Sequence, residues 1–321
     1  MRVKYKSFNS TRNFGVELEV GNEYPRSFIS SIIKNTTNMK VNISNYTQSV
    51  NNAHWVVKTD ASCGKKIRSN GMNEGGYEIA SFVASGIEDI EKISKVAHNL
   101  KRGGVRANNN CGYHIHINAS DFNEEEMGRL ISYWLLIEDV FFNMVPFRRT
   151  VNKYCKKVKI KNGKYDVAMD VIKDSMKIWE MYKPKTINIR SPSEKRYSLN
   201  LLNFYAASKT KFKRKTIEFR FPEGTLCQEI IKNFIFILIN FVENVKQIKS
   251  PKFKIVNVDH FLNVCGLGDD KAICILDHDL IKAKVWVLRR LVRFSKVSEY
   301  KSQAKKILAR IYRGHGNAKS F

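Results

Sequence analysis

Hydrophobic and polar residues alternate along several short stretches of the chain, and such alternation predicts β-strands. The predicted strands are residues 14–20, 54–58, 77–83, 112–118, 197–202 and 216–221. Apolar residues recur every three or four positions elsewhere, which predicts helices over residues 27–34, 87–101, 167–182, 226–246 and 280–312, and one from Ser120 or Asp121 to Val145. Because strands and helices are mixed without a regular βαβ order, we predict an α+β fold with a mainly antiparallel sheet.

The apolar content limits which classes of protein the chain can belong to. The chain has 321 residues, of which 43% are apolar, enough for one large core or two smaller ones. The basic first residues are not followed by the apolar region of a signal peptide. Polar residues interrupt the most apolar stretch, 230–245, whereas a bilayer span needs about 20 mostly apolar residues. We therefore expect no membrane span, and a cytoplasmic protein whose six cysteines are reduced thiols.

Positive charge is concentrated in two segments. The formal net charge is +26 at pH 7. Residues 147–220 carry 21 basic and 6 acidic side chains, and residues 282–321 carry 12 and 1. Such a field attracts polyanions, so nucleic acid or another acidic macromolecule is a predicted partner, although a lysine-rich solvated surface would give the same composition. We place a basic insertion at about 147–195 within a domain of residues 1–281, followed by a basic helical tail, 282–321.

Two pairs of chemically reactive side chains lie two residues apart on predicted strands. Glu17 and Glu19 share one face of the first strand, since alternate residues of a strand point the same way. Adjacent carboxylates repel each other unless a cation neutralises them. His114 and His116 have the same spacing and can converge on one point. Taken alone, each pair is more typical of the solvent-exposed face of a strand.

Other strands carry further groups of this kind. Glu78 lies in the third predicted strand, and Asp60 precedes a Gly-rich loop. Glu218 and Arg220 share a face of the last strand, where an internal ion pair would also explain them. If these strands adjoin, their acids and imidazoles form a multi-metal site. Mg²⁺ or Mn²⁺ fits such a ligand set, and zinc fits less well without cysteine.

The order of these motifs resembles the amidoligase family, which belongs to the glutamine synthetase-like carboxylate–amine ligases and has phage and fungal members. The matching stretches, within about residues 13–245, are FGVELEV, D-x-S at Asp60 and Ser62, GYEIAS, CGYHIHIN, RYSLN and TIEFRF-x-EGT. The resemblance implies a glutamine synthetase-like catalytic fold for residues 1–281, with a curved, mainly antiparallel sheet and helices on one face. It also implies a location in the host cytoplasm if a phage or virus encodes the protein.

The resemblance further implies roles for individual residues in an enzyme that binds ATP with Mg²⁺ or Mn²⁺. The implied metal ligands are Glu17, Glu19, Glu78, His114 and Glu218. The implied nucleotide contacts are His116, Arg220, Arg196 and Asn200. The implied catalytic residues are Arg220, His116 and Asp60.

The implied reaction joins a carboxylate to an amine, and a peptide or protein is one candidate substrate. A carboxylate oxygen is a poor leaving group, so transfer of the γ-phosphoryl group of ATP would first form an acyl phosphate. Metal ions would neutralise the phosphate oxygens, and an arginine would stabilise the anion that forms when the amine attacks. The chain has no Walker A or GxGxxG motif, so phosphate binding would depend on metals and basic side chains.

Two other functions fit part of the pattern. A divalent-metal-dependent nuclease or phosphohydrolase would use the same ligands and would cleave its substrate without ATP. A non-catalytic, basic nucleic-acid-binding protein would explain the charge but not the acids on the strand faces, since acids repel polyanions. The ordered motifs favour the ligase.

Overall fold

The computed structural model divides into two units. It describes residues 10–44, 53–63, 75–158, 173–184, 196–209, 215–248, 257–268 and 278–314. The sheet unit comprises residues 11–118 and 216–235, and the helical unit comprises residues 1–10, 119–215 and 236–321. Much of the predicted insertion, at 159–172 and 185–195, lies outside the described residues.

The described residues contain seven strands, and the six in the sheet unit form one mostly antiparallel sheet. The strands are β1 (Phe14–Val20), β2 (Val41–Ser44), β3 (Trp55–Asp60), β4 (Gly76–Ala80), β5 (Tyr113–Asn118), β6 (Leu199–Asn200) and β7 (Thr216–Phe219). Strand β6 belongs to the helical unit, and the others are arranged in the order β2-β3-β4-β1-β5-β7. Only the β2–β3 pair among these neighbours is parallel. The predicted α+β fold with a mainly antiparallel sheet is confirmed.

Helices account for most of the remaining described chain. They are α1 (Arg26–Thr37), α2 (Gly86–Arg102), α3 (Glu124–Phe142), α4 (Phe147–Thr150), α5 (Ser175–Tyr182), α6 (Leu202–Lys209), α7 (Gln228–Gln247), α8 (Val258–Val264), α9 (His278–Phe294) and α10 (Ser298–Gly314). Within the described residues, no helix combines the length and apolar composition that a bilayer span requires. The predicted helical character of the C-terminal extension is confirmed by α9 and α10.

The core of the sheet unit lies on the apolar face of the sheet. Leu18, Ile79, Ile115 and Ile217 lie on four different strands, and each is fully buried. Because side chains alternate along a strand, burial of this set leaves the intervening residues on the opposite face. The first turn of α7 packs close by, where the Tyr113 hydroxyl donates a hydrogen bond to a main-chain carbonyl at 3.2 Å.

Several predicted boundaries are wrong. The helix predicted to run to Val145 ends at Phe142, and the helical segment predicted over 280–312 is two helices, α9 and α10, separated by residues 295–297. Helix α3 begins after Asn123, not after Ser120 or Asp121, because Asn123 and Glu126 form a reciprocal capping box with hydrogen bonds of 2.8 and 2.9 Å. The predicted strand at 197–202 is only the two-residue β6, and helix α6 follows it. The Asn200 side chain accepts a hydrogen bond from the main-chain NH of Leu202 at 3.0 Å, a local bond that favours a turn over an extended strand.

Candidate metal centre on the sheet face

The strand register brings acids and imidazoles together on the polar face of the sheet. Glu17 on β1 stands opposite His114 on β5, and His116 stands opposite Glu218 on β7. Directly opposed residues of antiparallel strands point to the same face, with Cβ atoms about 4.5–5.5 Å apart. Three neighbouring strands therefore contribute to one cluster, as the sequence predicted they would if they adjoined.

The two histidines link the carboxylates of this cluster. His114 Nδ1 lies 3.2 Å from Glu17 Oε2 and 3.6 Å from Glu218 Oε1, and its Nε2 lies 3.4 Å from Glu19 Oε1. His116 Nε2 lies 3.2 Å from Glu17 Oε1 and 3.9 Å from Glu218 Oε1. Each imidazole thus faces acids from two different strands.

The cluster is buried and rich in negative charge. Glu19 and Glu78 stand directly opposite each other on β1 and β4, and both are buried. Opposed like charges are destabilising, and more so away from water. The neighbouring cations are Lys58, whose Nζ lies 2.6 Å from Glu78 Oε1, and Arg220, which forms an ion pair with Glu218. A divalent cation would relieve the remaining repulsion.

Burial and neighbouring charges shift the pKa values of three acids and of His116 in this cluster. Burial favours the neutral form of Glu17, but His116 and His114 hold its pKa well below the usual value. Burial has the same effect on Glu218, and Arg220 with His116 lowers its pKa. Burial opposes the charge on His116, yet Glu17 and Glu218 raise its pKa to about 9. Burial, reinforced by the Glu17 charge, raises the pKa of Glu78 to about 8 despite the opposing effect of Lys58.

A metal ion fits the centre of this arrangement. Glu17, His114 and Glu218 each offer one ligand atom, and these atoms lie within 4.8 Å of one another. His114 is 3% exposed and Glu218 is 4% exposed, so their donors are already desolvated and positioned. The two carboxylate oxygens suit Mg²⁺ or Mn²⁺, whereas the imidazole nitrogen is a ligand more usual for transition metals.

The segment after β7 makes a close main-chain contact with the residues just before β5. Arg220 follows the last residue of β7 directly. Further along the chain, Glu223 pairs with Gly112 in an isolated bridge, and the Gly224 NH donates to the Cys111 carbonyl at 3.1 Å. A Cβ atom at Gly224 would lie 2.6 Å from the Cys111 carbonyl carbon, so only glycine fits this approach.

Three predicted site residues, Asp60, Arg196 and Asn200, are not members of the Glu17–His114–Glu218 group. Asp60 ends β3, where its carboxylate accepts hydrogen bonds from the Ser62 NH at 2.8 Å and the Ser62 hydroxyl at 2.7 Å. Arg196 and Asn200 belong to the helical unit. The Arg196 guanidinium lies 5.4 Å from the centre of a tyrosine ring, and Asn200 caps the turn before α6. Their roles in nucleotide binding remain predictions.

Sequence analysis missed two residues of this face. Lys58 stands opposite Glu78, and its position two residues before Asp60 already placed it on the same face of β3. Cys63 follows β3, and its thiol forms a group with Glu19 and Asp60 whose ligand atoms lie within 4.8 Å of one another. A hydrogen bond with Cys111, burial and the Glu19 charge all raise the pKa of Cys63. No spacing motif marks Cys63, because its neighbours come from distant parts of the chain.

Comparison with known proteins places these residues inside a family match. The model of the family described as "Putative amidoligase enzyme" matches residues 10–242, more than half of the chain. The match contains every predicted site residue and stops before α8, α9 and α10. No curated protein sequence matches the chain.

Proposed function

Because the chain belongs to this amidoligase family, we propose that it is an ATP- and magnesium-dependent ligase that joins a carboxylate to an amine. The observation that carries the proposal is the meeting of Glu17, His114 and Glu218 from three strands in one cluster, in which His114 and Glu218 are buried and Glu17 is partly exposed. Buried acids in such proximity are costly for folding alone, so their placement favours a site built for cations and phosphate.

The polar face offers ligands for the cation that ATP chemistry needs. Glu17, His114 and Glu218 would hold one Mg²⁺ or Mn²⁺ ion, and Glu19 and Glu78 border the same face. When bound, such an ion neutralises phosphate oxygens during phosphoryl transfer. Glu17 and Glu218 are held in the ionised form by the surrounding positive charges, since their pKa values are lowered.

In the proposed mechanism, Arg220 stabilises negative charge on the reacting groups. Glu218 fixes its guanidinium, whose pKa is raised by the Glu218 and Glu17 carboxylates despite burial, so it stays charged. In the proposed reaction the substrate carboxylate takes the γ-phosphoryl group of ATP, and ADP leaves. The amine then attacks the acyl carbon, inorganic phosphate leaves and an amide forms. Arg220 would stabilise the anion of that attack, and His116, held by Glu17, would bind phosphate oxygens.

Trapping of the acyl phosphate tests this proposal. The full-length protein is incubated with ATP, Mg²⁺, hydroxylamine and a panel of carboxylates that includes amino acids and acidic peptides. Carboxylate-dependent ADP release together with hydroxamate formation would support the ligase. ADP release that ignores every carboxylate, or cleavage of nucleic acid without ATP, would contradict it and favour the metal-dependent hydrolase.

We further propose that a basic surface on α9 and α10 binds an acidic macromolecule. The two helices contain ten Lys or Arg residues and two acidic ones. The exposed basic side chains are Lys282, Arg289, Arg293, Lys305, Lys306, Arg310 and Arg313. Arg289 Nε donates to the Tyr312 hydroxyl at 3.2 Å, which joins the two helices. One polyanion could therefore contact both, and the carboxylate substrate would be part of it or bound to it.

A further inference from the structure

A second group of metal-ligating side chains lies at the end of β3. Glu19, Asp60 and Cys63 each offer one ligand atom, and the three atoms lie within 4.8 Å of one another. Glu19 and Cys63 are buried, whereas Asp60 is partly exposed. The group therefore combines two desolvated donors with one carboxylate that solvent can reach.

A second thiol supports this group. Cys111 is 2% exposed, and its thiol lies near enough to Cys63 to raise the pKa of the Cys63 thiol. The loop before β5 holds both thiols in place, since the Asn108 NH donates to Cys111 Sγ at 3.3 Å and the Asn108 side-chain amide donates to the Cys63 carbonyl at 2.5 Å. Both cysteines are free thiols. Two adjacent buried thiols beside two acids are an uncommon arrangement for a core, where sulfur normally packs against apolar atoms.

The donor chemistry separates this group from the Glu17–His114–Glu218 cluster. Mg²⁺ is bound by oxygen ligands, and thiolate is a soft ligand that selects ions of the zinc type. Zinc sites in proteins combine thiolates with carboxylates or imidazoles, usually four ligands in a tetrahedron. The expectation that zinc fits poorly without cysteine therefore applies to the first cluster and not to this one.

We propose that Cys63, Asp60 and Glu19 bind a thiophilic divalent cation of the Zn²⁺ class, with Cys63 as the thiolate ligand. Binding forms a sulfur–metal bond at Cys63 and releases the thiol proton to solvent. Glu19 links the two groups, because its Oε1 also lies 3.4 Å from His114 Nε2. An ion in this thiol site would thus engage a carboxylate that borders the magnesium cluster. The thiol site itself does not depend on the proposed ligase function.

Cobalt substitution tests the thiol site by a signal that is independent of ATP turnover. The full-length protein, stripped of metal and kept under a phosphine reductant, is titrated with Co²⁺ in excess Mg²⁺. Thiolate–Co²⁺ bonds give a charge-transfer band in the near ultraviolet. We expect this band in the wild type, and we expect added Zn²⁺ to abolish it by displacing Co²⁺. The band should disappear in Cys63→Ser and persist in Cys265→Ser, a buried cysteine of the helical unit that serves as the control.

Asp60→Asn provides a second variant at a partly exposed position, where folding is less at risk. We expect it to weaken Co²⁺ binding by more than about tenfold, because it replaces a charged ligand by a neutral one. Circular dichroism establishes that each variant is folded. A wild-type protein without the thiolate band, a band of full strength in folded Cys63→Ser, or unchanged Co²⁺ affinity in Asp60→Asn would each overturn the proposal.

Discussion

Glu218 shows at the scale of single residues how one carboxylate serves several neighbours. It lies within 3.9 Å of both His114 and His116, and it forms the ion pair that fixes Arg220. Its charge is therefore central both to the proposed cation site and to the orientation of the proposed anion-stabilising arginine. Replacing Glu218 by Gln would remove this charge while changing the volume of the side chain very little.

Glu218→Gln should therefore abolish most of the carboxylate-dependent ATP turnover. We expect a loss of at least about 100-fold in kcat, the scale seen when one preorganised electrostatic group is removed. The control is Glu88→Gln, an exposed acid in the first turn of α2, which should keep wild-type turnover. Both proteins are compared by ADP release, with circular dichroism to monitor folding. Near-full activity of Glu218→Gln would exclude Glu218 from the catalytic machinery.

The sequence could predict the acids and histidines of this face because alternate side chains of a strand point to the same face. The spacing of Glu17 and Glu19, and of His114 and His116, placed each pair on one face before any pairing was known. The thiol neighbours of Glu19 were not predictable in this way. Cys63 and Cys111 are 48 positions apart in the sequence, and only the fold brings them together.

At the scale of elements, hydrophobic alternation predicted most of the individual strands but not the order in which they pair. Strand β1 lies between β4 and β5, which follow it by more than 50 residues, and β7 comes from beyond residue 215. Strand β2 was missed because its four residues, VNIS, are a very short run from which to recognise an alternating pattern. Helix α6 was missed because a local side-chain bond of Asn200 ends the strand early.

The contact between Gly224 and Cys111 predicts a stability effect at this scale. Gly224→Ala should destabilise the fold by about 1–3 kcal/mol, because the added methyl group overlaps the main chain that leads into β5. The control is Gly15→Ala on β1, where the nearest atom to an added Cβ is the Ser81 hydroxyl oxygen at an ordinary 3.7 Å. Chemical denaturation measures both free energies of unfolding. Equal stability of Gly224→Ala and the wild type would show that this approach is not tight.

At the scale of the whole molecule, one of the two basic segments of the sequence lies beyond the family match. The family match ends at residue 242, whereas α9 and α10 begin at residue 278. Composition alone predicted the basic extension, and its helical structure followed from apolar spacing. Composition could not distinguish a binding surface from a solvated one, because both have the same charge.

The basic surface is expected to bind polyanions through defined side chains. Neutralising Lys305, Lys306 and Arg310 to Gln should weaken binding to a DNA fragment and reduce the dependence of log K on log salt by up to about 3. The matched control neutralises Lys95, Lys101 and Arg102, three exposed basic residues on α2. Fluorescence anisotropy over a salt series measures both. Equal losses in the two triple variants would mean that net charge alone determines binding.

The proposed function depends most on His114 binding a divalent cation together with Glu17 and Glu218. Mn²⁺ bound to the full-length protein, observed by pulsed electron paramagnetic resonance, tests it directly because an imidazole ligand couples its nitrogen to the metal spin. We predict a nitrogen coupling in the wild type and in His98→Gln, an exposed histidine on α2, and none in His114→Gln. A coupling that persists unchanged in His114→Gln, or a wild-type protein that leaves Mn²⁺ free in solution, would contradict the account.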